Sequence, residues 1–231
     1  ISKWKKRGLN VFGVEPDETN LAELRKRLAT EGKMKVNLRF ERVGAEETDN
    51  VFKFIGGTPV DGMTTFFSMT FFPESQEKYD GFINTIDKCI KSGGTLIGAV
   101  LDGYAVRSLL GGKGNYTTDS FTITKMGEFD ESPFKNTIKI DLHDETSMVK
   151  DQIEYLVDFE YFKERLNEIG FKLVMTEMLG KESGKEMEEI TAAIQIIVDA
   201  DTYGSAAKKI RELTGAHNRM AAKIVEYLNE M

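Results

Sequence analysis

Residues 61–72 read DGMTTFFSMTFF and residues 92–100 read SGGTLIGAV. The first is rich in apolar and β-branched residues and ends in paired phenylalanines, the composition of a buried strand running into an aromatic loop. Between the two stretches, from Glu74 to Lys91, the apolar side chains fall at helical spacing, with Phe82, Ile86, Cys89 and Ile90 on one stripe. Ser92-Gly93-Gly94 is expected to stop this helix, and TLIGAV to form the next strand. Strand, covering helix and strand make one βαβ unit. Such units wind right-handedly and build a parallel sheet buried on both faces.

Working outward, the same alternation continues upstream. Leu9 to Val14, LNVFGV, is a short apolar strand that ends at Glu15-Pro16-Asp17. Pro16 suits a first turn and Asp17 a helix cap. Leu21, Leu24 and Leu28 then recur as a helix stripe. Lys35 to Val43 alternates as a strand around Val36, Leu38 and Phe40, and GAEETDNV is a loop and helix start. Downstream, DGYAVRSLL reads as a short helix and Gly111 to Asn115 as a flexible loop. SFTITK, NTIKIDL and QIEYLV read as strands, and Asp158 as the cap of a helix carrying Phe159, Phe162, Leu166 and Ile169. FKLVMTEML is a further strand. From Lys185 onward the chain reads helical, with no final strand before Met231. The fold class is α/β, a mostly parallel doubly wound sheet with a helical C-terminal region, read as a single domain over 1–231.

The 231 residues carry a net charge of −7, which argues against a broad non-specific grip on nucleic acid while leaving room for a local basic groove. A single cysteine, Cys89, allows no internal disulfide and fits a reducing compartment. No apolar run approaches the ~18 residues that cross a bilayer, so no membrane partner is expected. The chain opens on Ile1-Ser2-Lys3-Trp4-Lys5-Lys6-Arg7-Gly8, which reads as the tail of a helix, and a fragment of a longer protein is the expectation.

Several side chains are candidates for chemistry. Glu15 ends a strand, where doubly wound sheets bind ligands, and a carboxylate there can accept both hydroxyls of a ribose; alternatively it is a solvated strand-end acid. Glu46 or Glu47 can accept from an adenine amino group, or either can simply favour a helix start. Phe66, Phe67, Phe71 and Phe72 can wall a flat heterocycle. Strand alternation would turn half of them inward and leave only one or two free. In QIEYLVDF, Ile153, Tyr155 and Val157 share one face of a strand, and Glu154 and Leu156 share the other. Glu154 is either a solvated edge residue or aimed at hydrogen-bond donors. Guanine alone among the common bases offers two adjacent donors, N1–H and N2–H, to one carboxylate. The only histidines are His143 and His217, so no nucleophilic triad forms, and no Cys or His cluster suits a metal.

Together these stretches resemble the S-adenosylmethionine-dependent mRNA cap guanine-N7 methyltransferases. The likeness is nearest to the methyltransferase domain of capping enzymes from large nucleocytoplasmic DNA viruses, the giant viruses. ISKW resembles the end of the family's glycine-rich cofactor loop, and VFGVEPDETN its second strand with a ribose-binding acid. FFSMTFFPES with KSGGTLIGAVLDG resembles its fourth strand, helix and fifth strand. IEYLVDFEYFKERLNEIGFKLV resembles a late strand and helix. The likeness covers Ile1 to Glu177.

The resemblance implies a Rossmann-like fold, S-adenosyl-L-methionine as cofactor, and methyl transfer to N7 of the cap guanine. It implies Glu15, Glu46 and Phe67 on the cofactor side and Glu154, Phe71 and Thr70 on the guanine side, with no catalytic acid or base. It further implies the capped 5′ end of mRNA as partner, triphosphatase and guanylyltransferase domains in the same polypeptide, a stimulatory subunit, and a place in a viral factory of the host cytoplasm or in the virion. Thr70-Phe71 stands where cellular members carry a His-Tyr pair, and the strand with the glycine-rich loop is absent. Two other readings stay open: a methyltransferase of this fold acting on a small molecule, and a non-catalytic scaffold that stimulates a capping partner.

Overall fold

A computed structural model describes residues 9–30, 35–143, 151–178 and 192–199. The expected helix tail over Ile1–Gly8, and the helical reading of 185–191 and 200–231, lie outside the described residues. The chain alternates as the hydrophobic pattern requires: β1 (Asn10–Val14), α1 (Glu18–Thr30), β2 (Asn37–Glu41), α2 (Thr48–Phe54), β3 (Val60–Phe66), a 3-10 helix (Met69–Glu74), α3 (Gln76–Cys89), β4 (Ile90–Leu101) and α4 (Gly103–Leu110). The order then becomes β5 (Asn115–Thr117), β6 (Phe121–Met126), β7 (Thr137–Leu142), β8 (Gln152–Tyr155), α5 (Phe159–Glu168), β9 (Phe171–Met178) and β10 (Ala192–Asp199). Among the described residues no helix is long and apolar enough to cross a membrane.

The structure divides into two compact units. In the first, β1 and β2 pair in parallel, Val11 opposite Leu38 and Gly13 opposite Phe40. Val43, Val51 and Cys89 form its buried cluster, with Val14, Phe52, Ile55 and Met63 packed against it. The stripe expected on α3 is buried throughout, Ile86 completely. Gly81 in α3 has a specific steric role, because a Cβ there would lie 2.5 Å from the Glu46 carbonyl oxygen. Its own carbonyl accepts from the Thr48 hydroxyl at 3.0 Å, fixing the start of α2.

The second unit contains a sheet of purely antiparallel neighbours, in the order β5-β6-β7-β8. Its inner face buries Ile123, Ile138 and Ile140 with Leu156, and α4 covers them with Val106 and Leu110. Asp102 caps α4, accepting from the Ala105 N–H at 2.8 Å, and Asp158 caps α5, accepting from the Tyr161 N–H at 3.0 Å. Tyr79, Phe134, Tyr161 and Phe162 form an aromatic knot beside the Arg165–Asp80 ion pair, 2.5 Å apart.

Two expectations need correction. Residues 192–199, AAIQIIVD, form a strand and not a helix, and β10 lies between β4 and β9 in the sheet order β3-β4-β10-β9. Eight residues crowded with β-branched side chains suit a pleated edge-to-edge pairing better than a helical turn, so a strand stands where none was expected. Ser92-Gly93-Gly94 does not stop α3 either. The helix ends at Cys89 and β4 already runs from Ile90, with Gly93 at φ +69° inside it.

Candidate functional site

In the second unit, β3 ends at Phe66 and the chain turns at once. The Phe67 N–H donates to the Ala99 carbonyl at 2.8 Å, which extends the pairing with β4 by one residue. Phe67 itself adopts φ +56°, a left-handed backbone that β-carbons disfavour. The Thr65 and Ser68 hydroxyls close the turn at 2.7 Å. The 3-10 helix follows, and there alternation no longer decides which side chains are buried. Met69, Thr70 and Phe72 go in, while Phe66, Phe67 and Phe71 stand 48%, 51% and 41% exposed. Sequence periodicity allowed one or two free rings; the turn at Phe67 frees three, because the period of two ends at Phe66.

The opposing wall is β8, which packs against the 3-10 helix. Glu154 is 8% exposed. It lies on the inner face of the antiparallel sheet, in register with fully buried Ile138. The solvated-edge reading of this residue therefore fails. Burial pushes its carboxyl above the ordinary carboxylate range, and the nearby Thr70 hydroxyl pulls it part of the way back. Asn136 fixes the end of the strand: its carbonyl accepts from the Leu156 N–H at 2.8 Å. The Asn136 side chain accepts from the Asp130 N–H at 2.9 Å and donates to the Ser132 carbonyl at 2.6 Å. Sequence reading passed over Asn136; an asparagine between the Pro133 loop and the strand TIKIDL was the signal available.

The first unit holds Glu15 and Glu46. Glu15 follows β1, and its Oε1 accepts from the Asp17 N–H at 2.9 Å. Asp17 in turn caps α1 through the Thr19 and Asn20 N–H groups. One carboxylate oxygen of Glu15 is thus taken by its own turn. Of the acids left open in GAEETDNV, Glu47 is committed locally, accepting from the Gly44 N–H and the Asn50 amide, each at 2.8 Å. These bonds hold its carboxyl below the usual range. The Glu46 carboxylate folds over Gly44, where a Cβ would meet Oε2 at 2.5 Å. An open polar hollow of about 490 Å³ beside α2 is lined by Glu47, Thr48, Asp49, Asn50 and Asn84, and includes neither Glu15 nor Glu46. Phe67, Thr70, Phe71 and Glu154 are thus gathered in the second unit, while Glu15 and Glu46 belong to the first.

Solved structures share this architecture. One is an S-adenosylmethionine-dependent methyltransferase from Clostridium acetobutylicum, with a TM-score of 0.56 and 14% identity over 83% of this chain and 75% of that one. The fold is that of the S-adenosylmethionine-dependent methyltransferases. The CcbJ methyltransferase from Streptomyces caelestis has the same fold, with a TM-score of 0.55 and 16% identity, covering 82% of this chain and 74% of the other. So does the glycopeptide N-methyltransferase MtfA, solved in complex with (S)-adenosyl-L-methionine, with a TM-score of 0.51 and 10% identity over 82% and 77%. No protein-family model matches the sequence. No curated protein matches it. At these identities the methyltransferase likeness concerns the fold alone, and it accounts for the parallel β1–β2 pair and the strand–helix alternation.

Proposed function

We propose that the protein binds S-adenosylmethionine and methylates N7 of guanine in the cap of mRNA. The observation that carries this reading is Glu154, a buried carboxyl on the inner face of β8, in register with buried Ile138. Exposed aromatic rings stand on the turn and 3-10 helix beside it. A carboxylate with acceptor capacity to spare matches the N1–H and N2–H edge of guanine, and exposed phenylalanines supply a stacking surface for the base.

Glu15 would accept the ribose hydroxyls of the cofactor, Glu46 its adenine amino group, and Phe67 would border it. When bound, S-adenosylmethionine supplies an electrophilic methyl group on a sulfonium sulfur. Guanine N7 has an unprotonated lone pair, so the chain needs no general base. Its contribution is to hold acceptor and donor in line, an effect worth ~7–11 kcal/mol where orientation is good. As N7 gains its methyl group the purine becomes cationic, and the Glu154 carboxylate stabilises that charge in a site of low polarity. Thr70-Phe71 replaces the His-Tyr pair of cellular relatives, so recognition of the base falls to Glu154 and to stacking. The capped 5′ end of mRNA is the macromolecular partner in this reading.

The test is to incubate the full-length protein with labelled S-adenosylmethionine and GpppA-capped RNA, with uncapped RNA alongside, and to locate the label by nuclease digestion. Label on the cap guanine N7 is expected. Cofactor binding without transfer to capped RNA would point to a different acceptor, a small molecule. Neither transfer nor cofactor binding would favour the scaffold.

A further inference from the structure

Among the described residues seven glycines adopt positive φ, and only three other residues do so: Phe67, Lys135 and Asp151. Phe67 is the aromatic one of the three. A bulky side chain carries a steric penalty in the left-handed region that glycine avoids. Such strain persists only where the surroundings over-determine the conformation.

The surroundings of Phe67 do so. Its N–H donates to the Ala99 carbonyl at 2.8 Å. Its own carbonyl accepts from the Thr70 hydroxyl in a long contact of 3.4 Å. The third tie is made by side chains: the Thr65 and Ser68 hydroxyls bond at 2.7 Å and so span Phe66 and Phe67. Thr65 is buried and lines a small apolar hollow with Met69, Leu96, Ala99 and Phe162. Its methyl group lies against Gly98, where a Cβ would come within 3.0 Å of it. The hydroxyl is left facing Ser68, its one hydrogen-bond partner among the described residues. A hydroxyl among apolar side chains is costly when unpaired, so this bond is firmly held. Its product is a ring 51% exposed on a strained backbone, an arrangement that burial of apolar surface would not select.

We propose that Thr65 and Ser68 are positioning residues for the cofactor: their hydroxyl bond clamps residue 67 in its left-handed conformer and aims the Phe67 ring at S-adenosylmethionine. This rests on the reading of Phe67 as the ring that borders the cofactor. With the clamp closed, the binding-competent conformer is the resting one, and no affinity is lost in selecting it. With the clamp open, residue 67 relaxes toward negative φ and the ring swings away. S-adenosylmethionine must then restore the strained turn before it can bind.

The experiment is calorimetric titration of the full-length protein with S-adenosylmethionine alone, with the melting temperature of each variant measured alongside. Thr65→Val removes one hydroxyl, keeps the side-chain shape and suits the apolar hollow, so it should melt at or above the wild-type temperature. Its Kd should nonetheless rise about fivefold, the low end of the left-handed penalty, because Ala99 still holds the N–H. Ser68→Ala should give the same loss, and Ser68→Thr, which keeps a hydroxyl, should restore the affinity. In Phe67→Gly, which has no ring to aim, adding Thr65→Val should change Kd by less than about twofold. Wild-type affinity in both Thr65→Val and Ser68→Ala, or an equal loss with and without the Phe67 ring, would overturn the proposal while leaving the cofactor reading intact. Equal affinity of wild type and Phe67→Gly, or no binding by wild type, would overturn that reading, and this proposal with it.

Discussion

Ile153 and Glu154 are neighbours on β8 that have exchanged the places their chemistry assigns: the isoleucine is 42% exposed and the glutamate 8%. Register enforces this. A slip of one residue would turn Ile153 inward and Glu154 outward, but it would break the pairing of Thr137 with Tyr155 and of Ile138 with Glu154. It would also pull Leu156 from its bond to the Asn136 carbonyl. A buried carboxyl that meets no cation among the described residues opposes folding, and such local conflicts are expected where a site serves function.

The conflict has a measurable pH signature. Folding raises the Glu154 pKa, so the native state holds its proton to higher pH than the unfolded chain does. The stability this contributes is complete below the ordinary value of 4.5 and is lost as pH rises through the raised value. Glu154→Gln removes the titration. Urea unfolding from pH 4.5 to neutrality should show wild type losing stability relative to the variant, which becomes the more stable of the two at neutral pH.

Activity should move the other way. Glu154→Ala removes hydrogen bonds to a charged group, each worth ~1.5–3 kcal/mol, so kcat/KM for capped RNA should fall at least about tenfold. S-adenosylmethionine binding, followed by calorimetry, should stay within about threefold of wild type, the spread of an undisturbed site. Equal loss of both would assign Glu154 a folding role.

Phe67 offers a second separation of stability from function. Phe67→Ala and Phe67→Gly both remove the exposed ring, but only glycine accepts φ +56° without cost. The glycine variant should be the more stable by about 1 kcal/mol in urea unfolding. Both should weaken binding of S-adenosylmethionine, by loss of the ring that borders the cofactor, a stacking contact worth about 1–3 kcal/mol per base.

Gly81→Ala tests the packing beneath Glu46. In an open helix the change would stabilise by up to about 1 kcal/mol through helix propensity. Here the new methyl group would meet a backbone oxygen at 2.5 Å. Overpacking of that kind costs about 1–3 kcal/mol, so net destabilisation is expected, read as a lower melting temperature.

Much of this molecule was legible in its sequence, for identifiable reasons. The α3 stripe, the Asp102 to Leu110 helix and the Asp158 cap followed from periodicity and capping chemistry, which are local. Glu154 could be singled out from QIEYLVDF, but not its burial, because alternation divides a strand into two faces without saying which one is covered. That depended on α4 and the 3-10 helix, elements distant in sequence. The exposed phenylalanines were miscounted because one left-handed residue, Phe67, ended the strand period, and no glycine marked the place. β10 was misread because a short apolar run fits either period, and its partners β4 and β9 decide the matter from afar.

The sheet order β3-β4-β10-β9 also sets an order of assembly. β4 and β9 emerge from the ribosome before the strand that joins them, and until β10 arrives each presents an unsatisfied backbone edge to the cell. Pairings this distant along the chain form late and slowly, and open edges invite strands from other molecules. Nascent chains stalled short of residue 192 should therefore be the aggregation-prone species of this protein, and the ones a chaperone holds.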